Sequence, residues 1–367
     1  MRGGVPFESV VVAPGYENAR DVFTGLLHAG QEIGASVAVR RDGAPVLEMH
    51  GGWQDGARTR PWTAGTLAMT YSVGKPLAAV AALRAVAEGR VGLDDPVSAW
   101  WPEYARQGKR RTTLRHMLSH TAGVPAFSDA SIDPLDRGAL VADLVGQRPL
   151  WEPGTVPAEH ALTYGHLIDG ALTALGAADI RSSAAELGSR LGADLRFGVD
   201  ESDLPRVADL EIIDATWAGT QDHELAHRAR TIPAGMLDPA VTNSDSVRTA
   251  SFPAIGLFTN ATSLARFYDD LAREDGPLSR MLGSGLLREF TTAQAIGTDR
   301  FLDAHAEWGL GLRVDDGEWG MGGIGGSCAW HHPGRGYSFA YVTRGLGTFD
   351  RVDALADAVE AAIAAGA

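Results

Sequence analysis

The sequence predicts an α+β protein: an antiparallel sheet, drawn from both ends of the chain and flanked by helices, with a helical lobe inserted between its two halves. Three observations predict it. Near the start, strand-like runs at 35–39 and 45–49 flank Arg41-Asp42-Gly43, and an Asp-Gly pair between such runs is a hairpin signal. Near the end, the runs 308–314, 328–331 and 337–343 have the same character, with Gly-rich connections. Between them, the helical period recurs at 135–145, 161–175 and 182–191. The expected division is a discontinuous sheet domain of residues 1–75 and 250–367, a mainly helical lobe of 76–249, and an active site in the cleft between them.

The elements follow in order. Residues 17–34 place Val22, Phe23, Leu26, Leu27 and Ile33 with helical spacing, which predicts an amphipathic helix. A second helix begins at or just before Ser72 and continues through the Ala-rich run 77–88, where Leu77, Val80, Leu83 and Val86 repeat. Residues 89–96 are rich in turn formers, 112–120 form a short helix, and the glycine and proline within 122–125 end it. Asn260 or Thr262 caps a later helix with Leu264, Phe267, Tyr268 and Leu271 on its inner face. Residues 351–365 close the chain as a helix.

Composition narrows the function. A chain of 367 residues can bury a large core, and 45% hydrophobic with 21% charged residues is a globular balance. The net charge of -14 repels phosphate backbones, and no basic stripe opposes it, so nucleic acid is not an expected partner. One cysteine, Cys328, excludes an internal disulfide framework. No run reaches membrane-spanning length, and residues 1–12 lack a long apolar segment with a cleavage site, so a soluble, cytoplasmic protein is expected.

The chemistry gathers at Tyr71-Ser72-Val73-Gly74-Lys75-Pro76. Ser72 and Lys75 would share one face of the helix start. A serine hydroxyl needs a base to become a nucleophile, and a lysine serves where burial and neighbouring charge lower its pKa, which an arginine cannot do. The chain has 32 basic residues, and only Lys75 and Lys109 are lysines. A further titratable partner for Ser72 has two candidates, Tyr164 in Tyr164-Gly165-His166 and the Ser128-Asp129 pair. The Gly-rich stretch 319–327 permits close backbone approach to a ligand and can offer an N–H to a developing oxyanion. His223-Glu224-Leu225-Ala226-His227 matches the H-E-x-x-H pattern of zinc proteases. Its flanking polar and charged residues, Gln221-Asp222 and Arg228 with Arg230, describe instead a solvated helix closed by Pro233, and His331-His332 reads as a loop pair. No metal or cofactor is expected.

Taken together, several stretches resemble the serine β-lactamase and penicillin-binding superfamily, specifically its class C β-lactamase and family VIII esterase branch. They are 71–76, Leu93-Asp94-Asp95-Pro96-Val97, the run 114–123, Trp151-Glu152-Pro153-Gly154, Tyr164 and the Gly-rich third region. The resemblance covers most of the chain and implies a β-lactamase/transpeptidase-like fold. It implies Ser72 as nucleophile, Lys75 and Tyr164 as the base system, and the N–H groups of Ser72 and Ile324 as the oxyanion hole. Two departures stand out: His166 lies where the family usually has Asn, and Met321-Gly322-Gly323 fills the slot of Lys-Thr-Gly or His-x-Gly. These positions would contact substrate, and a thioether cannot hold a carboxylate as lysine does.

The expected function is acyl transfer from a small-molecule ester through Ser72. Water as acceptor makes an esterase, while an amine or alcohol makes a transacylase of the kind found in secondary metabolism, and β-lactamase activity is expected to be weak or absent. The alternatives are a non-catalytic binding protein on the same fold and, third, a zinc metallohydrolase using His223 and His227.

Overall fold

The computed structural model describes residues 4–366. Nine strands form one antiparallel sheet in the order Phe7–Val12, Ala44–Gly52, Gly34–Arg41, Tyr337–Thr343, Cys328–His332, Glu318–Gly322, Arg313–Asp315, Ala304–Trp308, Ala295–Asp299. The N-terminal hairpin meets the C-terminal strands at the pairing of Gly34–Arg41 with Tyr337–Thr343, in the register Val37↔Tyr341. Asp42 and Gly43 form the hairpin turn with φ of 50° and 81°. A two-residue turn needs this left-handed backbone at both positions, which Asp-Gly supplies at low cost.

Alternation along the strands sorts the two faces. Val37, Val39, Phe339 and Tyr341 point to one face, where helices Glu17–Ala29 and Asp350–Ala364 cover them with Phe23, Leu27, Leu355 and Val359. Ala38, Ala340 and Ala329 point to the other, where small side chains leave room for helix Ala261–Ala272 and its Leu264, Phe267 and Tyr268. Asn260 caps that helix by accepting the Ser263 N–H. Each fully buried Leu or Phe stabilises by roughly 1.5–3 kcal/mol, so these two layers carry much of the fold.

Helix Lys75–Ala87 is buried on nearly every side, by helices Tyr164–Ala174, Ile180–Leu191 and Pro277–Thr291. A helix apolar all round belongs in a core, and its alanines let those neighbours approach. The other lysine, Lys109, is buried too and donates to the carbonyls of Val145 and Gln147. A small sheet of Ala68–Met69, Leu257–Thr259 and Arg196–Phe197 anchors the chain just before Ser72.

Two sequence expectations change here. The helix does not begin α-helical at Ser72: Tyr71–Gly74 is a 3-10 turn entered through Tyr71 at φ 51°, and the α-helix starts at Lys75. Nor is 308–314 one strand, because residues 309–312 leave the sheet between Ala304–Trp308 and Arg313–Asp315. Gly311, at φ 93°, passes so close to Tyr164 that a Cβ there would overlap the phenol oxygen. Helix Pro277–Thr291, broken at Gly283 with φ 74°, is an element the periodicity did not predict.

Candidate active site

The 3-10 turn decides the geometry of Ser72. Side chains three residues apart eclipse in a 3-10 helix, so Lys75 lies directly beneath Ser72. The Nζ of Lys75 is 2.7 Å from the Oγ of Ser72. Lys75 is fully buried, while Ser72 reaches the wall of a cavity of about 380 Å³.

The third group at this site is Glu159, which the sequence reading missed. Its Oε1 lies 2.5 Å from Lys75 Nζ and 3.5 Å from Ser72 Oγ. The backbone around it hangs on a bracket at the end of the short helix Leu114–Leu118. The Ala158 N–H donates to the His120 carbonyl, the His160 N–H donates to His120 Nδ1, and the Gly154 N–H donates to the Thr121 carbonyl. One sequence signal was available: between Pro153 and Ile168, Glu159 is the only acidic residue. A carboxylate in so apolar a run needs a cation, and the chain has only one buried lysine beside a serine.

Behind Lys75 stand two imidazoles. Burial, above all, pushes the His120 pKa well below its ordinary value, with the charges of His160 and Lys75 adding to the effect. His160 is lowered to about 4 by burial, against an opposing bond from its Nδ1 to the Ala158 carbonyl. Both rings are therefore neutral at physiological pH and leave Glu159 as the charge partner of Lys75.

The structure does not bring Tyr164 to the serine. Its hydroxyl donates to the Leu118 carbonyl at 3.4 Å, its ring packs on His120, and it does not line the cavity. Burial raises its pKa well above the usual phenol value, which opposes a phenolate base. Tyr164 is expected to form the base system with Lys75; in the structure the position hydrogen-bonded to both Lys75 and Ser72 is held by Glu159. The rival pair Ser128-Asp129 is exposed, and Ser128 is engaged with Asp143.

His166, expected at the substrate, sits instead in the core. It packs edge-on against Phe127 and Phe252, and burial lowers its pKa to about 3. Met321, Gly322, Gly323 and Ile324 do line the cavity. Gly323 is pressed against the Thr70 carbonyl so closely that any side chain would clash, which brings the third region beside the turn that carries Ser72. Neither the Ser72 nor the Ile324 N–H has an acceptor among the described residues. Met321 is buried in the wall with Trp308 and Ala306 and offers no hydrogen-bond donor.

His223 is not placed as a metal ligand. It caps helix Glu224–Thr231, its Nδ1 accepting the Ala226 N–H, and its Nε2 bonds the Phe301 carbonyl, while His227 is exposed. Both ring nitrogens of His223 are thus engaged by the fold. His331 and His332 lie in strand Cys328–His332 and not in a loop, with His331 bonded to Ser338. No helix among the described residues is long and apolar enough to cross a membrane.

Comparison with known proteins identifies the family. The family model described as Beta-lactamase matches residues 19–363. The esterase/beta-lactamase LipL of Mycobacterium tuberculosis is 31% identical over 331 residues, covering 84% of this chain and 76% of that one. The crystal structure of a family VIII carboxylesterase superposes with a TM-score of 0.88 at 26% identity, over 97% of this chain and 99% of the other. A penicillin-binding protein homologue from Caulobacter crescentus gives a TM-score of 0.87 at 28% identity, over 97% and 100%. The chain therefore belongs to the beta-lactamase family, has its fold, and is a serine hydrolase.

Proposed function

We propose that this protein hydrolyses small, uncharged esters through an acyl-enzyme on Ser72. The observation that carries the reading is the 2.7 Å contact between Ser72 Oγ and the buried Lys75 Nζ at the edge of a cavity. Lys75 relays the serine proton as Oγ attacks the ester carbon. The N–H groups of Ser72 and Ile324 receive the developing oxyanion, a contribution of about 2.7–4 kcal/mol per donor in such sites. Trp217, Phe301, Trp308 and Phe349 give the cavity an aromatic wall suited to an apolar acyl or alkoxy group, and Met321 gives a substrate carboxylate no partner.

The same acyl-enzyme can pass its acyl group to an amine or alcohol, and the aromatic wall would hold an apolar acceptor as readily as an apolar leaving group. Esterase relatives such as LipL and the family VIII carboxylesterase support hydrolysis as the primary reading. The test is intact mass during turnover of 4-nitrophenyl butyrate, with and without an added amine. A butyryl adduct on Ser72 that clears in water is expected. A protein that turns the ester over with no adduct on Ser72, even under rapid quench, or that binds it unchanged, would refute the reading.

A further inference from the structure

The proton that leaves Ser72 needs a group to hold it until the leaving alcohol departs. Lys75 donates to two neighbours at once, Ser72 and Glu159, so a proton it takes from the one can pass to the other. Its other neighbour is a carboxylate. We propose that Glu159 is the general acid–base of the reaction, taking the Ser72 proton through Lys75 and delivering it to the departing alkoxide; the inference rests on the acyl-enzyme reading above.

Four observations carry it. Glu159 Oε1 is within hydrogen-bond reach of Lys75 Nζ at 2.5 Å and lies 3.5 Å from Ser72 Oγ. Its second oxygen, Oε2, has no donor among the described residues and is free to carry a proton. Glu159 lines the cavity together with Ser72, whereas a carboxylate that merely balanced Lys75 would need no access to substrate. The other titratable groups nearby are occupied: Tyr164 faces Leu118, and the carboxylate of Asp299 accepts from Trp308 Nε1 and from the N–H groups of Phe301 and Leu302.

The steps balance. As the Ser72 oxygen forms its bond to the ester carbon, its proton moves to Lys75, and Lys75 passes one of its own to Glu159. The carbonyl π pair becomes the oxyanion. When that pair re-forms the carbonyl, the bond to the alkoxy oxygen breaks and the alkoxide takes the proton from the Glu159 carboxylic acid. Water then attacks the acyl-enzyme, gives its proton to Glu159, and that proton returns to Ser72 as the acid leaves.

The experiment compares two esters of one acid, ethyl butyrate and 4-nitrophenyl butyrate, on the unmodified protein and on Glu159→Gln. The glutamine keeps the size and an acceptor for Lys75 but cannot hold the proton. An ethoxide must be protonated to leave, while 4-nitrophenolate need not be. We expect kcat/KM for ethyl butyrate to fall by about 10²–10⁴-fold, the usual range for loss of a general acid–base. The fall for 4-nitrophenyl butyrate should be at least roughly tenfold smaller, and Glu159→Asp should recover part of both. An equal fall on the two esters, or none, would overturn the inference and leave Glu159 a positioning residue for Lys75. If Glu159→Gln does not fold, the same ratio of ratios measured on Glu159→Asp decides the matter. Labelling of Ser72 by a fluorophosphonate in the unmodified protein separates the two levels: labelling with an equal fall sinks only the role of Glu159, and absence of labelling sinks the acyl-enzyme reading with it.

Discussion

Ser72 Oγ and Lys75 Nζ stand 2.7 Å apart because a 3-10 turn separates them, stacking the two side chains at the head of a helix that is buried from Lys75 to Leu83. The turn is entered through a left-handed Tyr71, and this strained backbone sits one residue from the Ser72 hydroxyl.

Ser72→Ala should abolish turnover and the mass increase from a serine-directed phosphonate while leaving the melting temperature nearly unchanged, since it removes one hydroxyl at a cavity wall. Undiminished labelling of the variant would move the nucleophile elsewhere.

Lys75→Ala should eliminate activity and also destabilise the protein by about 3–5 kcal/mol, because it strands the Glu159 carboxylate in a site built for a pair. Adding Glu159→Ala to that variant should restore much of the stability and none of the activity. Urea denaturation of the three proteins checks this, and a double variant no more stable than the single would count against the pairing. Lys75→Arg should be nearly as inactive as Lys75→Ala, since guanidinium holds its protons.

Tyr164→Phe should keep activity within about threefold of the unmodified protein and cost no more than about 0.5–1.5 kcal/mol, the usual worth of one hydrogen bond. A hundredfold loss in kcat/KM without a change in stability would return the phenol to the proton path.

Stability should fall as the pH drops below the ordinary histidine range. His160 and His166 titrate near 6.5 when unfolded and are lowered to about 4 and about 3 when folded, chiefly by burial. The unfolded chain therefore binds more protons between those limits, so their contribution is complete above pH 6.5 and is lost progressively on acidification. His166→Leu should flatten the acid side of a plot of melting temperature against pH. An unchanged slope would show that His166 protonates in place.

A neutral ester should be turned over far better than any β-lactam. A charge-assisted hydrogen bond to a carboxylate contributes roughly 1.5–3 kcal/mol, and Met321 has none to give. Met321→Lys should narrow the gap by roughly tenfold or more, measured as the ratio of kcat/KM for one ester and one cephalosporin. Efficient cephalosporin hydrolysis by the unmodified protein would refute this.

Local chemistry explains what was legible in the sequence. Asp42-Gly43 marks a hairpin because few other pairs tolerate its backbone, and Lys75 stands out because the chain has so little lysine. Glu159 was hidden because its neighbours are not near it in sequence. The His120 bracket places it, and that bracket exists only once residues 120 and 160 meet. His166 was misplaced for the same reason, as Phe127 and Phe252 claim it from other parts of the chain. The break at 309–312 follows from the close passage of Gly311 over Tyr164, which no strand period announces.

Arg351 shows how far the support of the site extends. It pairs with the buried Glu32 and donates to the carbonyls of Gly345 and Gly325, the latter next to Ile324. Arg351→Ala should therefore lower kcat more than it raises KM, and a pure KM effect would show that the loop stands without it.

The burial of both lysines has a separate meaning for a serine hydrolase. Lys75 faces Ser72 and Lys109 is enclosed by two carbonyls, so no lysine amine reaches the surface among the described residues, where arginine carries the positive charge. Guanidinium does not compete with water for an ester. Lysine-directed cross-linkers and immobilisation chemistries will therefore find no lysine to hold on the described surface.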